Sequence, residues 1–567
     1  MPRLTYDLKS LTLPRLAGFP LRAVAWLLEH SATRWILLGR LLRDAGFTRF
    51  RDIVVDDPPT FMPPVDQQQP ARPVSALATD AEDLAKGPRS CKDGFIYASV
   101  SDYTQAYASG TLTPEDVASR ILDAIAASDA QDPPLRAFVA TNREDALSQA
   151  RESSKRFKEG RTLGSLDGVP IAVKDEIDQT PYGTTFGTRF LGRAPAREDS
   201  TVVARLRAAG ALLIGKTNMH EIGIGVTGLN VFHGTPRNPH DPRYHSGGSS
   251  SGSAAAVSAG LCPVAIGADG GGSIRIPSAF CGVVGLKPTF GRVSAWSSSS
   301  LCWSVAHVGP IAACVRDAAL VYAEIAGPDA RDPSSLTQPL VIVDQDSEAD
   351  LSGIVLGIYW PWFRHASPAV VSVCERMVGY LQDAGAELRE VKIPELDAAR
   401  MAQLVTITSE MVAALEPHEK HPAREYSPEV RLNLALARTF TSLDYLKAQR
   451  IRTRTAEHFT RALADVHAIV TPTTACVAPL IRPGALASGE SDLSVVTEIM
   501  RYVTPANMTG LPAISFPAGY DDTGLPIGFQ AIGRAWDEHV LIRIAAAAER
   551  VVERNRPHML YEPLRAA

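Results

Sequence analysis

The chain has 567 residues, 45% of them hydrophobic and 21% charged, a balance that permits a large buried core and excludes a disordered or fibrous polymer. Its net charge of −5 argues against general nucleic-acid binding, which relies on a basic excess to displace counterions from phosphates. The seven cysteines (Cys91, Cys262, Cys281, Cys302, Cys314, Cys374 and Cys476) include no C-x-x-C pair, and a chain of this length needs no disulfide framework, so they read as reduced core residues.

Through Arg51, nine Lys/Arg stand against three Asp/Glu, a local +6 that leaves −11 for the remainder. The first residues lack a basic region followed by a long apolar run, so a cytoplasmic location is expected rather than secretion. From Arg22 to Arg43, apolar residues fall at helical spacing (Trp26, Thr33, Leu37, Leu41) with basic residues between them. Glu29, Arg34 and Arg40 make this segment too polar to span a bilayer. Two readings stay open: a helix lying on a membrane surface with its arginines near anionic head groups, or an amphipathic helix packed on the protein's own body. Residues 1–55 are thus expected to form a basic helical extension. The polar, proline-marked stretch 56–90 has neither a helical nor a strand period and reads as an extended connector.

A compact domain follows. Thr113-Pro-Glu-Asp caps a helix carrying Val117, Ile121 and Ile125. Between Leu166 and Gly291, short β-branched runs (Val169 to Val173, Ala211 to Ile214, Val264 to Ile266) alternate with helical segments (Ser200 to Ala209, Ser253 to Ala259). This is the rhythm of an α/β sheet. Further strands are expected at Ile354 to Ile358, Glu387 to Val391, Ala468 to Val470 and Ala513 to Phe516, with a helix near Ala369 to Leu381.

Three motifs in this region fail on context. Gly210-Ala-Leu-Leu-Ile-Gly-Lys-Thr217 matches the phosphate-loop pattern, yet its middle residues read as strand, with their N–H groups committed to a ladder. Gly223-Ile-Gly-Val-Thr-Gly228 lacks the strand before and helix after it that a dinucleotide fingerprint needs. Gly248-Ser-Ser-Ser-Gly252 fits a nucleophile elbow, but Arg243-Tyr-His-Ser supplies a polar approach in place of an apolar strand. His220, His233, His240 and His245 match no zinc spacing and read as loop and core residues; no metal or organic cofactor is expected.

Three features carry chemistry: Gly168-Val-Pro-Ile-Ala-Val-Lys174, Ser246-Gly-Gly-Ser249-Ser-Ser-Gly-Ser, and Asp269-Gly-Gly-Gly-Ser273-Ile-Arg-Ile. A strand-end lysine alone more often reaches solvent, but where it is desolvated the charged form is disfavoured and the amine becomes a usable base. The Gly/Ser run leads straight into a helix inside the sheet region, so it reads as an ordered loop able to aim a hydroxyl inward. The loop Asp269 to Ser273 follows a strand and offers four successive N–H groups, those of Gly270, Gly271, Gly272 and Ser273, with almost no side chains in the way. An oxyanion hole is built in this manner.

These residues resemble the amidase signature family. The resemblance implies a mixed α/β domain over residues 91–567 with its core motifs in 164–290, and a triad of nucleophile Ser273, Ser249 held by a cis peptide, and base Lys174. Their separations are 75 and 24 positions. Lys216-Thr-Asn-Met-His-Glu, Gly234-Thr-Pro-Arg-Asn-Pro-His-Asp-Pro, Gly285-Leu-Lys-Pro-Thr, Ile469-Val-Thr-Pro-Thr-Thr and Leu525-Pro-Ile-Gly-Phe-Gln are similar to the plant-type fatty acid amide hydrolase branch. The stretch Trp296 to His307 departs from it and is expected to shape the acyl or amine pocket. Asp269 and Arg275 are assigned to supporting the loop. The implied activity is hydrolysis of carboxamides, fatty acyl ones such as N-acylethanolamines above all, with peripheral membrane contact through the N-terminal helix and a homodimeric state. Short-chain or aryl amides, or a glutamine-dependent transamidation subunit, are the alternatives.

Overall fold

The alternating runs become strands of one sheet. The computed structural model describes residues 6–11, 13–65, 94–298, 301–343, 350–418 and 425–565. Leu16–Ala17 (β1) is followed by Phe138–Ala140 (β2), Pro170–Lys174 (β3), Leu212–Thr217 (β4), Val264–Asp269 (β5), Val284–Lys287 (β6) and His307–Ala312 (β7). Val355–Ile358 (β8), Glu387–Glu390 (β9), Ala468–Pro472 (β10), Glu490–Ser491 (β11), Ala513–Tyr520 (β12) and Pro526–Gly533 (β13) complete the set. Eleven of these form a sheet in the order β2-β4-β3-β5-β7-β6-β12-β13-β10-β8-β9, while β1 pairs with β11 in a separate ribbon. The sheet is mixed: β3 runs parallel to β4 and β5, and β8 to β9 and β10, whereas β5–β7, β6–β12 and β12–β13 are antiparallel. Every residue of β3, β4 and β5 is buried, as befits parallel strands covered on both faces.

Small residues let one helix lie close beneath these strands. Ser251–Ser258 reads SGSAAAVS, is buried throughout, and packs on β3, β4, β5 and β7. A Cβ on Gly252 would approach Ala137 O and Asn218 N within 2.5 Å or less, so the approach requires glycine. Elsewhere the usual amphipathic logic holds. The helix Pro368–Asp383 buries Val370, Val373, Cys374, Met377, Val378 and Leu381, the i, i+3, i+4 stripe of a helix lying on a sheet.

The N-terminal segment is helical, but it breaks at His30 into Gly18–Glu29 and Ser31–Asp44. Its packed face follows the expected line only in part: Leu37 and Leu41 pack against the buried cluster, whereas Trp26 does not. Leu21, Ala25 and Leu28 bury themselves against Leu432 and Ala435 of the helix Pro428–Ala437, and Arg431 clamps Glu29 with two hydrogen bonds of 2.8 and 2.6 Å. Phe19, Trp26 and Trp35 stay 77%, 49% and 74% exposed. Of the expected connector, residues 66–90 lie outside the described residues, as does Cys91. The part before them runs along the helix Ser442–Ala462, where Asp57 pairs with Arg454 at 2.7 Å and Thr60 N–H donates to Gln449 O. Among the described residues, no helix is long and apolar enough to cross a membrane.

Candidate active site

Lys174 is the last residue of β3 and is fully buried. Its Nζ lies 2.7 Å from Ser249 Oγ, 3.2 Å from Ala268 O and 3.1 Å from Glu176 Oε1. A second buried lysine, Lys216, sits one strand away on β4, opposite Val173. Its ammonium turns from the serines toward Ile177 O and Asp175. A third, Lys287, donates to Pro288 O, and of these buried amines Lys174 has the close contact with Ser249.

Ser249 is presented by a glycine-rich loop whose Gly248–Ser249 peptide is cis. Gly247 has φ +79°, and a Cβ there would sit 2.8 Å from Pro277 Cα, so only glycine fits. Neighbouring groups hold the loop: His220 N–H donates to Ser249 O at 3.1 Å, and Ser250 N–H to Ser273 O at 3.3 Å. Ser250, the central residue of the elbow-like pattern, spends its hydroxyl on the backbone of Ala268 in β5. It is a structural tie, in keeping with rejection of that motif.

The loop after β5 carries Ser273. A single carboxylate shapes it. Asp269 accepts from Gly272 N–H at 2.6 Å, Ile274 N–H at 3.1 Å, Arg275 Nε at 3.0 Å and Asn507 Nδ2 at 2.9 Å. Burial alone would push the Asp269 carboxyl up; the Arg275 guanidinium, with Lys287 and Asn507, overrides it and holds the group far below the usual carboxylate range. Arg275 in turn donates to Val503 O, Gln530 Oε1 and Asn507 Oδ1 at 2.9, 2.7 and 2.7 Å. Asp269 and Arg275 thus tie the loop to β13 and to the helix that carries Asn507. The expected set of oxyanion donors needs one correction. Gly272 N–H is spent on Asp269 Oδ1, because the turn that exposes Ser273 folds this amide back onto the carboxylate. The N–H groups of Gly270, Gly271 and Ser273 have no partner among the described residues.

Ser249 and Ser273 line one cavity of about 20 Å³, together with Glu176, Cys302, Ala306 and Met411. No hydrogen bond joins the two serine hydroxyls. The segment Trp296 to His307 contributes to two cavities. Leu301, Cys302 and Ala306 line the one that holds Ser249 and Ser273. Trp296 and Trp303 line a neighbouring one of about 380 Å³ that shares Ala306.

Sequence reasoning missed four residues here: Glu176, Gln403, Asn507 and Gln530. Gln403, on the helix Leu396–Leu415, donates to Gly270 O at 2.6 Å. Glu176 stands two residues beyond Lys174, whereas Gln403, Asn507 and Gln530 come from distant parts of the chain, and of these only Gln530 falls within a motif carrying the family resemblance. The four histidines do not converge: His220 neighbours Glu429, His245 neighbours Glu490, His233 lies on Thr188 O, and His240 packs near Tyr520.

The mixed α/β core thus buries a lysine against one serine, beside a second serine in a glycine-rich loop. The Amidase family model matches residues 119–542. Fatty acid amide hydrolases from Oryza sativa subsp. indica and Arabidopsis thaliana are 40% and 38% identical, each over 99% of this chain and 97% and 96% of their own length. The native peptide amidase from Stenotrophomonas maltophilia superposes with a TM-score of 0.71 at 32% identity, covering 82% of this chain and 98% of that one. The chain belongs to the amidase signature family and is an amide-hydrolysing enzyme.

Proposed function

We propose that the enzyme hydrolyses fatty acid amides, N-acylethanolamines among them, through an acyl-enzyme on Ser273. The observation that carries the reading is the 2.7 Å contact between buried Lys174 and Ser249 in the cavity that holds Ser273. Lys174 as a neutral amine takes the Ser249 proton, Ser249 takes that of Ser273, and the Ser273 oxygen attacks the amide carbonyl. N–H groups of Gly270, Gly271 and Ser273 receive the developing negative charge, each worth on the order of 3 kcal/mol. The proton returns through Ser249 to the leaving nitrogen, and water clears the acyl-enzyme by the same relay.

Similarity to the plant fatty acid amide hydrolases over nearly the whole chain supports the lipid substrate. So do the outward aromatic side chains Phe19, Trp26 and Trp35 of the N-terminal helices. With Arg22, Arg40 and Arg43 around them, they suit an anionic membrane interface from which a long-chain amide is collected. A homodimer follows from the family resemblance. Oleoyl amides are expected to be cleaved with a higher kcat/KM than acetyl amides of the same amine; a preference for acetyl would discard the lipid reading. Replacing Trp26 and Trp35 together by serine is expected to lower sedimentation with anionic vesicles severalfold and leave hydrolysis of a water-soluble amide unchanged.

A further inference from the structure

Glu176 is not part of the relay described above, yet its carboxylate is nearly buried and lies 3.1 Å from Lys174 Nζ. Counting protons at that nitrogen gives it a task. A neutral amine has two N–H bonds and one lone pair. Ala268 O is an obligatory acceptor, and so is an ionised Glu176; together they take both N–H bonds. The lone pair is then left facing the one neighbour with a proton to give, the Ser249 hydroxyl. Without the carboxylate, one N–H is released to turn toward Ser249 Oγ, and the base points the wrong way. Once the proton has moved, the three N–H bonds of the ammonium match the same three acceptors, and its new charge faces a carboxylate. A buried aspartate orients and stabilises histidine in this fashion in Ser-His-Asp enzymes.

We propose that Glu176 is a positioning residue for Lys174, so that the relay runs Glu176–Lys174–Ser249–Ser273. The inference rests on the Ser273 mechanism proposed above. Glu176 itself exchanges no proton. The Ser273 proton passes to Ser249, the Ser249 proton passes to Lys174, and both return as the amine leaves. Gly223 lies beside both groups: a Cβ there would meet Glu176 Oε2 and Ser249 Oγ at 3.5 Å, in ordinary van der Waals contact. Other titratable groups around the cavity are otherwise engaged. Burial keeps the Cys302 thiol neutral, Arg275 takes the charge of Asp269, and Ser304 and Tyr445 bond to Glu410.

The test is the pH–rate profile of Glu176→Gln on a water-soluble amide, beside wild type and Ser273→Ala. The amide keeps the shape of the carboxylate but removes the charge that favours protonated Lys174. The plateau rate is expected to fall on the order of 10²-fold, while the rising limb moves about one pH unit toward acid. Glu176→Asp, which retains a charge set back by one methylene, is expected to lie between the two. A lowered plateau with an unmoved limb would mean only disturbed packing and would overturn the proposal, as would an unchanged profile. Should Glu176→Gln not fold, an unmoved limb in Glu176→Asp overturns it equally. Failure of the underlying mechanism is separately visible, because Ser273→Ala would then remain active.

Discussion

Ser273→Ala is expected to lower amide hydrolysis by about 10⁴-fold or more while leaving the melting temperature close to wild type. The hydroxyl sits in a cavity and makes no hydrogen bond that the fold depends on, so its loss removes the covalent step and little else. Lys174→Ala should be as damaging, since Ser249 then has no base to take its proton. Combining the two should cost no more than either alone, because residues acting as one unit are not additive. Steady-state hydrolysis together with mass detection of an acyl-enzyme checks all three, and a fluorophosphonate probe reports Ser273 directly. A Lys174→Ala protein that hydrolyses amides at the wild-type rate would remove the lysine from the mechanism.

The sheet was legible wherever β-branched residues run together. Val169 to Val173, Val264 to Ile266 and Ala468 to Val470 became β3, β5 and β10, each extended by one to three residues at its end. Two of the strands that escaped notice have a composition that argues against them. β7 reads His-Val-Gly-Pro-Ile-Ala, and β13 reads Pro-Ile-Gly-Phe-Gln-Ala-Ile-Gly. Glycine and proline weaken strand propensity, and tertiary packing overrides it here: Pro310 lies opposite Ile266 in the middle of the sheet. The same division runs through the site. Lys174, Ser249 and Ser273 stand in local patterns that a reader can recognise. Asn507 and Gln530 reach Asp269 and Arg275 from more than 230 positions away, and no spacing rule connects them. The phosphate-loop match at Gly210 to Thr217 failed for the reason the residues implied, since Leu212–Thr217 is β4.

The Asp269–Arg275 pair is expected to produce the largest loss of stability from a residue that never touches substrate. Both side chains are fully buried and 3.0 Å apart, and their remaining polar atoms are taken by Gly272, Ile274, Asn507, Gln530 and Val503. Arg275→Met leaves the carboxylate buried without its countercharge, a change that costs about 3–5 kcal/mol. Asp269→Asn leaves the guanidinium in the same position. Either variant should melt at a clearly lower temperature, measured at one scan rate. The double variant should lose less than the sum of the two, because the second substitution removes a charge that the first had stranded. Acid acts on the same pair. The folded carboxyl titrates below its unfolded value, so its contribution is fully present above about pH 4 and drains away as the pH falls further. Arg275→Met should therefore lose more stability at neutral pH than near pH 3. The rate should fall as well, since Asp269 organises the turn that carries Ser273 and frees the Gly270 and Gly271 amides for the oxyanion. An Arg275→Met enzyme with wild-type melting temperature and kcat would detach that turn from the ion pair beneath it.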